Sequence, residues 1–127
     1  MKKLLLVCIA TLQLSGCALW DIYNQSKYDT NEYALVTEIR TLAQTSKGCD
    51  EASVKKLYFT TLQLNNFSEY QNGNNKKSIE MNKGLLNMVK ELHDKPQPIN
   101  PMYCNAKLSI IEISAEAIQK VTGTKPR

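Results

Sequence analysis

The stretch Pro101–Ile118, PMYCNAKLSIIEISAEAI, decides how the whole chain is read. Cys104, Leu108, Ile111, Ala115 and Ile118 recur every three to four residues, the period of one helix face, with Ile110, Ile113 and Ala117 beside them. The density of isoleucine also allows a strand, since β-branched side chains suit a pleated surface. Glu112, Ala115, Glu116 and Ala117 carry the pattern beyond the usual length of a strand, and this favours the helix. Asn100-Pro101 in front of it reads as an N-cap followed by proline at the first helical position, where the missing N–H costs nothing.

Upstream, Lys95-Pro-Gln-Pro-Ile-Asn-Pro101 is a linker that no helix crosses. Before it, Ser78–Leu92 predicts a helix with Met81, Leu85, Met88 and Leu92 on one stripe, flanked by Leu86 and Val89. Asn72-Gly-Asn-Asn75 reads as a turn. Asp50 and Glu51 open a segment that is apolar on two sides: Val54, Leu57, Tyr58, Thr61 and Leu64 on one, Phe59, Leu62, Phe67 and Tyr70 on the other. The alternation in KLYFTTLQL leaves a strand open there as well. Lys47-Gly48 marks the end of a first helix, whose stripe is Leu35, Val36, Ile39, Leu42 and Ala43. Asp29-Thr-Asn-Glu32 resembles a capping box at its start. The expected fold is all-α, a small four-helix up-down-up-down bundle.

The N-terminus reads differently. Met1-Lys2-Lys3 is a short positive segment, and Leu4–Leu14 (LLLVCIATLQL) is an apolar run of signal-peptide length. A membrane-spanning helix needs roughly 20 apolar residues, and this run is too short. It ends in Leu14-Ser15-Gly16-Cys17, small residues followed by an alkylatable thiol. This segment resembles the lipobox of bacterial lipoprotein precursors. The resemblance implies diacylglyceryl transfer to the Cys17 sulfur, cleavage before it, and acylation of the new amine, with palmitate as the typical chain. Ala18, where an aspartate would retain such a protein in the inner membrane, implies an outer-membrane destination with the domain facing the periplasm. The expected organisation is a removed leader over 1–16, a lipidated tether over 17–28, the bundle over 29–122 and a flexible tail over 123–127. Trp20 and Tyr23 fall close to the lipid, where amphipathic rings favour the membrane–water boundary. The same rings could instead start the first helix and pack into the core.

On that organisation Cys8 leaves with the leader and Cys17 takes the lipid, so Cys49 and Cys104 remain. An even pair in an oxidising compartment favours a disulfide. The up-down-up-down order brings the starts of the second and fourth helices to the same end, where the two cysteines lie. That end would be the one away from the lipid. A metal site would need more ligands, and the chain has one histidine and no CxxC spacing, so no metal or other cofactor is expected.

The chain has 127 residues, 43% hydrophobic and 22% charged, which suits one globular domain. Its 16 basic and 12 acidic side chains give +4; without Lys2 and Lys3 the balance is 14 against 12, or +2. There is no dense basic stripe of the kind a nucleic-acid binder carries. Few residues offer chemistry. His93 precedes Asp94, but adjacent helical residues do not face each other, so a solvated imidazole at a helix C-terminus is the plainer reading. Glu112 and Glu116 lie at i,i+4 and read as a solvated face. Lys55-Lys56 and Lys76-Lys77 read as surface, with contact to anionic lipid as the alternative.

The expectation is therefore a non-enzymatic lipoprotein at a membrane. It would act as a protein-interaction or accessory module for a partner in the periplasm or outer membrane, on the general plan of secretin pilotins or exclusion lipoproteins. The two apolar sides of the second helix leave room for a groove or a homo-oligomeric seam. The alternatives are an envelope-structural or spanin-like bridging role, and inhibition of a cell-wall hydrolase.

Overall fold

The structure is a computed structural model that describes residues 27–71 and 76–126. Four helices account for most of them: α1 (Thr30–Thr45), α2 (Glu51–Gln71), α3 (Lys76–His93) and α4 (Pro101–Gly123). Among the described residues there is no strand, so the strand alternatives for the second and fourth segments fall away. The turn expected over 72–75 and the whole of 1–26 lie outside the described residues.

The helix starts follow their caps. The Asp29 side chain accepts the amides of Asn31 and Glu32, and the Asn100 side chain accepts those of Met102 and Tyr103 ahead of Pro101. Asp50 Oδ2 accepts the Ser53 amide at 3.1 Å at the start of α2. Each of these satisfies N–H groups that a helix end leaves unpaired. The Ser53 side chain, followed by its amide, holds the Asp50 carboxyl below the usual carboxylate range. Between α1 and α2, Gly48 (φ +92°) and Cys49 (φ +49°) both take left-handed backbone. Only glycine does so without steric cost. Cys49 is held there from both sides, by its disulfide and by its carbonyl accepting Gln97 Nε2 at 3.0 Å.

Each helix packs against two others: α1 against α2 and α4, and α3 against α2 and α4. The core they enclose comprises Val36, Ile39 and Ala43 from α1, Val54, Leu57 and Leu64 from α2, Leu85, Val89 and Leu92 from α3, and Leu108, Ile111, Ala115 and Ile118 from α4. On α4 the buried face is the stripe expected from its spacing. On α2 the face carrying Val54, Leu57, Thr61 and Leu64 is buried, and the other carries Phe59 and Tyr70 into solvent. On α3 Leu85 and Leu92 of the expected stripe are buried, but Asn82 and Val89 take the inner places expected of Met81 and Met88, which lie at the margin, and Ser78 extends the buried face. Polar residues enter the core there because α2 meets them with partners. Asn82 Nδ2 donates to Ser68 Oγ at 2.6 Å, and Asn65 Nδ2 donates to the carbonyls of Asn82 and Thr61.

The two ends of the bundle are closed by different bonds. At one, Cys49 and Cys104 form the expected disulfide, with Cα atoms 5.9 Å apart, and the proline linker folds over it through Gln97 and the buried Ile99. At the other, residues read from sequence as a tail are tied down. The Tyr28 amide donates to the Pro126 carbonyl at 2.8 Å, and the buried Lys125 ammonium meets the Glu32 carboxylate at 2.7 Å. A lysine seven residues past the last apolar core position carries no hydrophobic signal, so the sequence pattern ends too early.

Candidate interaction surface

The side of α4 turned away from the core is apolar along nearly its full length. Met102, Ala106, Ile110, Ile113, Ala117 and Val121 are all exposed, Met102 by 83% and Ile113 by 65%. Their spacing of four, four, three, four and four keeps them on one side of a 3.6-residue helix, opposite Cys104, Leu108, Ile111, Ala115 and Ile118. Over about 30 Å of helix this makes a continuous strip, of a kind that monomeric surfaces seldom expose.

The charges of α4 lie along its two flanks. Toward α1, Gln44 Nε2 donates to Glu112 Oε1 at 2.9 Å, and Arg40 lies 3.7 Å from Glu116 while donating to Gln119 Oε1 at 3.0 Å. Gln119 in turn donates to Thr37 Oγ1. Toward α3, Lys107 pairs with Glu91, and this hydrogen bond raises the ammonium's pKa above the ordinary lysine value. Lys120, at the edge of the strip, pairs with Glu116 at 3.3 Å. Glu112 and Glu116 thus line the α1 side, both half-buried, where the sequence reading has a solvated face. Polar interactions sew α4 to its neighbours and leave the outward direction to carbon.

Chemistry elsewhere is sparse. The His93 ring stacks on Tyr58 at 4.2 Å between centroids, and its Nδ1 lies 3.2 Å from Asp94 Oδ1. The two side chains meet although they are adjacent in sequence, His93 being the last residue of α3 and Asp94 the one just past it. His93 borders an open cleft of about 450 Å³ lined also by Glu51, Val54, Lys55, Lys95 and Gln97. Among the described residues no three His, Cys, Asp or Glu side chains converge as metal ligands. Lys55 sits over the Phe59 ring, and Lys76 and Lys77 are exposed. No helix among the described residues is long and apolar enough to cross a membrane.

Of the residues marked in sequence, Cys49 and Cys104 are joined as expected. Cys17, Trp20 and Tyr23 lie outside the described residues. Met102, Ala106 and Val121 are the members of the strip that the sequence reading does not single out. The clue was a second apolar repeat on α4, out of phase with the first. No protein-family model, no curated protein and no solved structure matches the chain.

Proposed function

We propose that this chain is a lipid-anchored, non-enzymatic interaction module held at the periplasmic side of an outer membrane. The observation that carries it is the uncharged outer strip of α4, which burial against another polypeptide would stabilise. The anchor rests on Leu14-Ser15-Gly16-Cys17 and the short apolar leader before it. Several acyl chains, at ~0.8 kcal/mol per buried CH2, hold such a protein to a bilayer almost permanently. The disulfide favours an oxidising compartment, in keeping with that address.

The helices form an up-down-up-down bundle in this reading. Tyr28 against Pro126 and Cys49 against Cys104 support that order, since each pair brings together the ends it requires. The tether over 17–28, with Trp20 and Tyr23 near the interface, then enters at the Lys125 end, opposite the disulfide. Accessory roles of the pilotin or exclusion type fit this plan, because they need a shaped apolar surface and no catalytic group.

Two measurements on the full chain, produced in a Gram-negative host, test the reading. Mass spectrometry should find a mature N-terminus at Cys17 bearing a diacylglyceryl thioether and an amide-linked acyl chain; a bare sulfur or a retained leader overturns the anchor. A photo-crosslinker at Ile113 should join a polypeptide, while one at the exposed Glu38 on α1 should not. Equal yields at the two positions overturn the interaction surface.

A further inference from the structure

The end of the bundle closed by the disulfide carries the cleft of about 450 Å³, which shares no residue with the outer strip of α4. The start of α2 supplies Glu51, Val54 and Lys55; the end of α3 and the linker after it supply His93, Lys95 and Gln97. The space lies in the size range of small-molecule pockets. Its frame is already set. The His93 ring is stacked on Tyr58 with centroids 4.2 Å apart, Gln97 Nε2 is tied to the Cys49 carbonyl at 3.0 Å, and buried Val54 adds carbon to the lining.

Three full charges border this one space, and among the described residues none of Glu51, Lys55 and Lys95 is in an ion pair. Glu51 and Lys55 stand four apart on α2, in the order that ordinarily pairs. Lys55 lies instead over the Phe59 ring, 6.0 Å from its centroid, and Lys95 lies over Tyr103 at 4.7 Å. An aromatic face holds an ammonium in place without neutralising it. The neighbouring carboxylate, Asp94, is turned to the His93 imidazole.

From this we infer that the cleft binds a small zwitterion of amino-acid or dipeptide size. Its carboxylate is met by Lys55 and Lys95, and its amine by Glu51. A simple anion would use the two lysines and be repelled by Glu51; a simple cation would meet the reverse. A molecule carrying both charges answers all three side chains at once. The cleft is open to water, which screens each contact, so the affinity is on the order of 1 mM.

Titration of the isotope-labelled full chain in detergent micelles, followed through its backbone amide signals, tests the site. The probes are alanyl-alanine, alanine, N-acetyl-alanyl-alanine, alanyl-alanine amide and acetate. Alanyl-alanine or alanine should shift the amides of Val54, Lys55, His93 and Gln97 and leave that of Ile113 in place; the tighter of the two gives the length that fits. Blocking either end of the dipeptide should weaken binding about tenfold. Lys55→Gln and Lys95→Gln should each weaken binding of the free dipeptide. Glu51→Gln should weaken it too, yet leave the acetylated form unchanged. All three side chains are exposed, so the melting temperature of each variant should match that of the native chain. Acetate or the acetylated dipeptide binding as tightly as the free forms means a patch of positive charge only and overturns the inference. So does a Glu51→Gln variant that weakens free and acetylated dipeptides equally, or the absence of any shift at the cleft.

Discussion

Lys125 reaches back across 93 residues to place its ammonium 2.7 Å from the carboxylate of Glu32, both side chains more than nine-tenths buried. The pair joins the start of α1 to the chain just past α4. Its position makes the C-terminal segment part of the domain, where composition alone suggests a loose end.

A buried pair of this kind is costly to break and cheap to replace. Lys125→Met should destabilise the domain by about 3–5 kcal/mol, because it leaves a desolvated carboxylate without its cation. Adding Glu32→Leu should recover most of that loss. Chemical denaturation of the two single variants and the double variant reads the coupling directly.

The opposite end is closed by Cys49–Cys104, which links positions 55 apart in sequence. Serine at both positions should lower the unfolding free energy by about 4 kcal/mol in the chain-entropy account. The effect should be matched by reduction of the native protein with dithiothreitol and absent when the reductant is added to the variant.

The polar layer between α2 and α3 depends on Asn82, which donates to Ser68 and accepts from Asn65 through its carbonyl. Asn82→Ala should cost about 1–3 kcal/mol, since a buried hydroxyl then loses its donor. Asn87→Ala, exposed on the same helix, should change the denaturation midpoint little.

Acid should loosen the start of α2. The Asp50 carboxyl is held below its usual range by Ser53 in the folded state. Its charged form therefore contributes stability above the unfolded pKa, and this is lost as the pH falls through the folded value. The melting-temperature gap between wild type and Asp50→Asn should be present at neutral pH and close as the pH drops below the aspartate range.

The two faces of α4 should respond oppositely to truncation. Ile111→Ala, at a fully buried site, should cost about 2–5 kcal/mol. Ile113→Ala, two residues on, should stay within about 0.5 kcal/mol in the monomer.

Much of this architecture is legible in the residues. Asp29, Asp50 and Asn100-Pro101 mark three helix starts because a cap satisfies backbone groups within a few positions of itself, a local matter. The buried stripe of α4 is legible for a related reason: Leu108, Ile111 and Ile118 outweigh the charged residues between them. The pairing of Cys49 with Cys104 follows from counting thiols once Cys8 and Cys17 are set aside. By contrast, α3 misleads, since methionine scores as apolar and asparagine does not. The core nevertheless takes Asn82 and leaves Met81 at the margin, because α2 brings the Ser68 hydroxyl to accept from its side-chain amide and Asn65 to donate to its backbone carbonyl.

The residues alone pointed to three capped helix starts, a first and a third helical segment and the Cys49–Cys104 pair, and left a strand open for the second and fourth segments. Each of these depends on neighbours in sequence or on a count. Which side of a two-sided helix turns inward depends on what lies across from it, and that is supplied by chain tens of residues away. Phe59 and Tyr70 face out, Glu32 and Lys125 face in, and the outer strip of α4 stays uncovered, because packing weighs partners in space and hydrophobic period does not.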